Sequence, residues 1–407
     1  MIKNISAICK KYSLIQFISG LLLVSGLGCS SVKKAGNISV NKNNAEINLK
    51  RKLKAGENHL YSIQLNAGDF LHIKAKQYGI DLIAKVTTAD GQFAEQFDSP
   101  TGELNDEDIY LLSAENRKYQ IEIYPAQKFA DPGDYDLSVV RSGKASEADK
   151  NWMAALAATQ KGDKMRGKAE TRQQCIQQYE SAMAAWVTLK DTLQYARAMR
   201  SMGFVHIRLR NYDKAVETFT QLLPLWKQLD DTRAEGFTYL IISRVYDLRK
   251  DYKKSLEYNQ QSLPGWSKVN DNDQESFIHM NIGSLYSYLG DRDNTISSFE
   301  MALKKNELSE RPSIKAVILR DFANSLMRLG EEEKAIQYYE QSLKQWQATV
   351  NTPEEARTAI LIADYYSKKG IKEEAVRYYR DALAIWQKLN EQTEIKNMQE
   401  ALGKLEK

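Results

Sequence analysis

Four histidines, one isolated cysteine and a short acidic run are the side chains whose types could do chemistry in this sequence. His59, His72, His206 and His279 are widely separated, and none has a second ligand at metal spacing. Cys175 has no partner for an internal disulfide, because Cys9 and Cys29 both belong to the first thirty residues. It falls at the same 40-residue phase as Ala215 and Ala335, which makes it a small packing residue. Glu103, Asp106, Glu107 and Asp108 offer the oxygens that calcium takes but show no ligand-loop spacing, so a solvated loop is the better reading. A phosphate-binding glycine loop, a serine nucleophile elbow and a carboxylate pair are all missing from the sequence. These absences point away from an enzyme, and no cofactor or metal is expected.

The chain has 407 residues, of which 43% are hydrophobic and 27% charged, the composition of an ordinary folded protein. Its net charge of +4 includes Lys3, Lys10 and Lys11, which leaves about +1 after residue 28 and no excess suited to nucleic acid. Those lysines precede an apolar run from Leu14 to Leu27, the pattern of an export signal. Ser25-Gly26-Leu27-Gly28-Cys29 resembles a bacterial lipobox, with Gly26 where that motif usually has leucine. The resemblance implies removal of residues 1–28, acylation of Cys29 (palmitate and related chains) and a polar tether over 29–44. Each buried methylene contributes about 0.8 kcal/mol to such an anchor. Ser30 after the cysteine, by resemblance to enterobacterial lipoproteins, favours the outer membrane, with the protein facing the periplasm or the cell exterior. An uncleaved anchor and a signal cut elsewhere are the competing readings.

From residue 45 to 143 the hydrophobic period is two. Tyr61, Ile63 and Leu65 alternate with polar residues, as do Leu71, Ile73 and Ala75, then Leu82, Ala84 and Val86, Tyr119, Ile121 and Ile123, and Tyr135, Leu137 and Val139. Glycine with Asp or Asn marks the turns between them. Short strands at this spacing predict a small β-sandwich. Gly56-Glu57-Asn58-His59-Leu60-Tyr61, Leu65-Asn66-Ala67-Gly68-Asp69, Gly79-Ile80-Asp81-Leu82 and Gly133-Asp134-Tyr135-Asp136-Leu137 resemble the jelly-roll module related to the pre-peptidase C-terminal domain. That resemblance implies a non-catalytic binding or spacing element.

After a boundary at Ser142 to Ala148 the period changes again, and over 191–390 one pattern returns every 40 residues five times. Trp226, Trp266, Trp346 and Trp386, with Trp186 one step earlier, form a series broken only at Asn306. Leu223, Leu263, Leu303, Leu343 and Leu383 keep the same step, as do the small residues Gly203, Ser243, Gly283, Ala323 and Ala363. Each unit (191–230, 231–270, 271–310, 311–350 and 351–390) divides into a helix A and a helix B, with a glycine or basic residue ending A and Asp or Asn able to cap B. Residues 147–190 form a degenerate first unit whose helix A breaks at Lys161-Gly162-Asp163, and 391–407 a C-terminal capping helix.

This pattern resembles the tetratricopeptide repeat. Gly203, Gly283, Ala323 and Ala363 stand at the small position of its helix A, and Ala215, Ala335 and Ala375 at that of helix B, followed by Phe219, Phe299, Tyr339 and Tyr379. The 40-residue units are also similar to those preceding the CHAT peptidase domain of bacterial proteins, where Pro224 and Pro264 would kink helix B. The fold class expected is therefore α+β and multidomain, a small all-β sandwich followed by an all-α solenoid. In tetratricopeptide superhelices helix A lines the concave face. By that resemblance the binding groove consists of Arg197, Arg200, Phe204, Arg208, Phe237, Arg244, Phe277, Tyr288, Arg320, Asn324, Arg328, Arg357 and Lys368. Arginine suits carboxylate capture and aromatics suit apolar anchoring, which implies a scaffold binding a protein or extended, acidic peptide segment. Two alternatives stand beside it: a non-catalytic regulatory partner or fragment of a CHAT-type peptidase, and a cell-envelope glycan-binding protein acting through the β-module.

Overall fold

The computed structural model describes residues 31–37, 48–54, 56–88, 90–91, 94–97, 106–127, 132–309, 311–348 and 352–405. Cys29, the signal segment and Glu103 lie outside them. The chain divides into two compact units, up to Lys214 and from Ala215 onward.

The first unit opens with nine strands: β1 Ser31–Asn37, β2 Asn48–Leu53, β3 Glu57–Leu65, β4 Asp69–Tyr78, β5 Leu82–Thr88, β6 Ala94–Phe97, β7 Glu107–Leu112, β8 Arg117–Pro125 and β9 Gly133–Lys144. They form two sheets, β1-β3-β8-β5-β6 and β2-β9-β4-β7. The antiparallel pairs β2·β9, β3·β8, β4·β7 and β5·β6 nest one inside another, with β4·β9 and β5·β8 joining them. This is the connectivity of a jelly roll. The period-two residues face inward: Tyr61, Ile63, Leu71, Ile73, Ala84, Val86, Ile121 and Leu137 are all buried. The polar tether expected over 29–44 needs one correction. Residues 31–37 pair in parallel with β3, because the outer backbone of that edge strand offers hydrogen-bonding groups that a neighbouring chain segment satisfies.

Among the described residues thirteen α-helices follow. The first unit holds α1 Glu147–Arg166, α2 Arg172–Thr188, α3 Thr192–Arg208 and the first residues of α4 Tyr212–Gln228. Beyond these come α5 Thr232–Leu248, α6 Tyr252–Lys268, α7 Asn272–Leu289, α8 Arg292–Asn306, α9 Pro312–Arg328, α10 Glu332–Gln347, α11 Pro353–Lys368, α12 Lys372–Leu389 and α13 Gln392–Leu405. Odd-numbered helices from α3 to α11 are the A helices and even-numbered ones from α4 to α12 the B helices of the 40-residue units. One expectation about the helices is corrected. Helix α1 does not break at Gly162: a Cβ there would lie 2.8 Å from the Tyr179 ring, so the glycine lets α1 and α2 approach closely inside an unbroken helix. Pro224 and Pro264 lie inside the B helices α4 and α6, which continue on both sides of them.

Another correction concerns the acidic run. Strand β7 begins at Glu107, so Glu107 and Asp108 are strand residues and not a solvated loop: Glu107 is buried, and the Asp108 side chain is only 6% exposed. The β7 side of the sandwich packs on the first helices. The Tyr110 ring lies 4.3 Å from Trp152 of α1, Trp152 lies 5.3 Å from Trp186 of α2, and the Trp152 indole N–H donates to Asp191 at 2.9 Å. Cys175 is fully buried, its thiol donates to the Gly162 carbonyl at 3.0 Å, and burial pushes that thiol up to about 11. It is a packing residue, as its phase implies.

In the second unit the tryptophans are core. Trp226, Trp266, Trp346 and Trp386 are each 5% exposed or less, and the Trp226 indole N–H donates to Thr238 at 3.0 Å. The small positions of helix A admit the aromatics of helix B: a Cβ at Gly283 would lie 2.7 Å from the Phe299 ring.

Candidate protein-binding face

The groove residues inferred from the sequence fall into three environments. The first is internal to the opening unit. Arg197 of α3 donates to Asp108 of β7 at 2.7 Å, and the other Asp108 oxygen lies 2.7 Å from His72 Nε2. Burial works against both charges. The hydrogen bonds from His72 and Arg197 outweigh it and hold the Asp108 carboxyl well below the usual carboxylate range, while Asp108 raises Arg197. Arg200 is buried, Phe204 is half-buried, and Arg208 donates to the Arg166 carbonyl at 3.2 Å. Helix α3 thus directs its arginines into its own unit.

The second environment is structural and lies within the second unit. Phe237 is a core residue at 5% exposure, and Phe277 packs against the core formed by the later helices. Arg320, 8% exposed, pairs with Glu354 across to α11 and with Asp321 at 3.5 Å. Arg357 pairs with the same Glu354 and lies over the Trp386 ring at 5.9 Å. Burial would raise the Glu354 carboxyl, but these two arginines hold it low. Asn324 accepts from the Tyr339 hydroxyl at 2.5 Å and donates to Asp321, and Lys368 lies 3.2 Å from Glu332. Arg320 and Lys368 join one pair of helices to the next, whereas Asn324 and Arg357 act within their own pairs.

Only Arg244, Tyr288 and Arg328 come together on a surface. They sit on the successive A helices α5, α7 and α9. The Arg328 guanidinium carbon lies 3.7 Å from the Tyr288 ring centroid, and Arg328 also donates to the Ser287 hydroxyl. Tyr288 stacks in turn on Tyr252 at 4.5 Å and 13°. Arg244 pairs with Asp247 beside them, and burial raises the Asp247 carboxyl against the pull of Arg244 and Arg328. Tyr288 is 41% exposed, Leu289 is 39% exposed and Arg328 is exposed. Among the described residues Arg328 makes no ion pair, which leaves a guanidinium over an aromatic ring and exposed to solvent. Asp247 and Tyr252 escaped the sequence reading because the same phase one unit later carries Ser287 and Arg292, so no repetition marks them.

Residues 194–268 and 315–388 match the family model described as tetratricopeptide repeat. These stretches are tetratricopeptide repeats. No curated protein matches the chain. Several solved structures are similar to it. A signal-transduction ATPase with numerous domains and a tetratricopeptide repeat sensor, from Pyrococcus horikoshii, shares 17% identity with a TM-score of 0.44, over 52% of this chain and 33% of that one. BtubC from P. vanneervenii shares 12% identity with a TM-score of 0.44, over 60% of this chain and 93% of that one. The TPR2AB domain of yeast Sti1, in its complex with pHSP90, shares 17% identity with a TM-score of 0.27, over 63% of this chain and 99% of that one. The chain therefore spans about a third of the length of the Pyrococcus protein. The Arg244–Tyr288–Arg328 cluster lies on the A helices of three consecutive 40-residue units, the middle one between the two matched stretches.

Proposed function

We propose that this protein is a non-catalytic scaffold that takes an extended, acidic segment of another protein along the A helices of its tetratricopeptide repeats. The observation that carries the reading is Arg328, a cation without an ion pair among the described residues, stacked on exposed Tyr288. A carboxylate of the partner pairs with Arg328, and an apolar side chain rests on the Tyr252–Tyr288 stack. Export and acylation of Cys29 hold the scaffold at a membrane, the outer membrane by preference. Among the described residues no helix is long and apolar enough to cross a membrane.

The test places a photo-cross-linking amino acid at Tyr288 of the full chain in its native membrane. Adducts that map to an acidic segment of a partner and weaken by about tenfold or more in Arg328→Glu support the reading. Undiminished adducts in Arg328→Glu overturn it. Palmitate labelling that survives Cys29→Ser would remove the anchor from the proposal.

A further inference from the structure

Three arginines of the first unit meet at one end of the α1–α2 pair. Arg166 closes α1, Arg172 opens α2 and Arg208 closes α3. Arg208 Nη1 donates to the Arg166 carbonyl at 3.2 Å, which seats its guanidinium on the C-terminus of α1. Thr171 donates its hydroxyl to the Met165 carbonyl at 2.7 Å, so no side chain caps the N-terminus of α2. Arg172 Nε is shielded from solvent and has no hydrogen-bond partner.

Charge at this corner is unbalanced. Among the described residues the single ion pair made by any of the three is Arg166 to Asp163, at a long 3.9 Å, and the same Asp163 oxygen already accepts from the Tyr179 hydroxyl at 2.6 Å. Burial and the repulsion of Arg166 and Arg172 lower the pKa of Arg208. Partly buried cations in excess of their counter-ions are costly, and folded proteins seldom hold them without a ligand. Three guanidinium forks are the parts of an oxyanion site. Glu170 stands in the turn between α1 and α2 but pairs with none of the three among the described residues, so with Asp163 counted two of the three charges are left unpaired, which matches a dianion better than a carboxylate.

We propose that Arg166, Arg172 and Arg208 bind a phosphate-class dianion, either free phosphate or the monoester group of a larger molecule. This site is separate from the Arg328 face and does not rest on it. In the full chain carrying Cys29→Ser, inorganic phosphate raises the thermal midpoint over chloride of equal ionic strength, by roughly 2–4 °C at ten times the dissociation constant. In Arg172→Gln and Arg208→Gln that increment disappears, while the midpoint in chloride stays level or rises because like-charge repulsion is relieved. An absent increment in the unsubstituted site, or an equal increment in both variants, overturns the proposal. Should a variant fail to fold, titration calorimetry with phosphate decides: one site per chain supports the proposal and no saturable heat overturns it. Flotation with phosphatidylcholine vesicles, with and without phosphatidic acid, separates the sources. Arg172-dependent binding to phosphatidic acid assigns a lipid headgroup, and phosphate binding without flotation assigns a soluble phosphate.

Discussion

Arg320 and Arg328 stand on the same helix, α9, and do opposite things. Arg320 is buried and tied to Glu354 and Asp321, whereas Arg328 is exposed and rests on a tyrosine ring. Removing one member of a buried pair strands the other charge, at a cost of about 3–5 kcal/mol. Arg320→Glu is therefore expected to lower the urea midpoint strongly, and Arg328→Glu to leave it close to wild type. Equal stabilities for the two variants would contradict this division. Asn306 is a second residue whose position decides its role. It holds the place of the ladder tryptophans, is 5% exposed, and its amide nitrogen has no hydrogen-bond partner. A half-open cleft of about 340 Å³ adjoins it, bordered by Leu303, Glu307, Ser309, Arg311, Pro312, Lys315 and Gln345. Asn306→Trp should fill that space and raise stability by roughly 0.5–2 kcal/mol, measured by urea unfolding. Both readings start from the sequence, which exposed the gap at Asn306 but could not separate one α9 arginine from the other.

At the scale of elements, most of the helices are joined by one recurring turn. Lys190, Arg210, Asp230, Lys250, Asn270 and Asn390 have φ between 51° and 61°, and Gly290, Gly330 and Gly370 adopt the same left-handed conformation. The residue after each turn donates its N–H back into the preceding helix, as Asp251 does to the Tyr246 carbonyl at 2.9 Å. That residue is often an aspartate that then caps the next helix: Asp231, Asp251, Asp271 and Asp291 each accept from the N–H three residues on. A side chain in the left-handed region costs about 1 kcal/mol that glycine avoids. Lys250→Gly should therefore stabilise the second unit by up to about that amount, and Gly290→Ala should destabilise it; thermal unfolding of the two variants checks the opposite signs. Helix ends were legible in the sequence because the turn chemistry is local. The unbroken α1 was not, since Gly162 answers to the Tyr179 ring and not to its neighbours in the chain.

At the scale of the molecule, the β-sandwich and the first helices belong to one compact unit, although the composition shift at 142–148 reads as a domain boundary. Asp108 is central to that joining, with His72 on β4 and Arg197 on α3 as partners. Its carboxyl is depressed in the folded state, so its stabilisation is complete above the unfolded carboxylate range near pH 4 and is lost as pH falls through the lower folded value. Acid should thus loosen the first unit, and Asp108→Asn should flatten that part of the stability–pH curve while lowering stability at pH 7. Urea unfolding at several pH values measures both; a slope unchanged by Asp108→Asn would remove Asp108 from the account.

Much of this architecture follows from the sequence alone. A period of two dictates strands with one buried face, and a period of 40 dictates helix pairs that bury the same tryptophan position each time. Such patterns are readable because every repeat meets a copy of its own neighbour, so phase determines burial. Which A-helix side chains remain on a surface was decided by tertiary structure. Arg197 meets Asp108 from 89 positions away and Arg320 meets Glu354 from 34 positions away, and only folding brings those charges together. An arginine at an A-helix phase is a cation of the right kind; whether it remains open to a partner depends on which carboxylate the rest of the chain sets beside it.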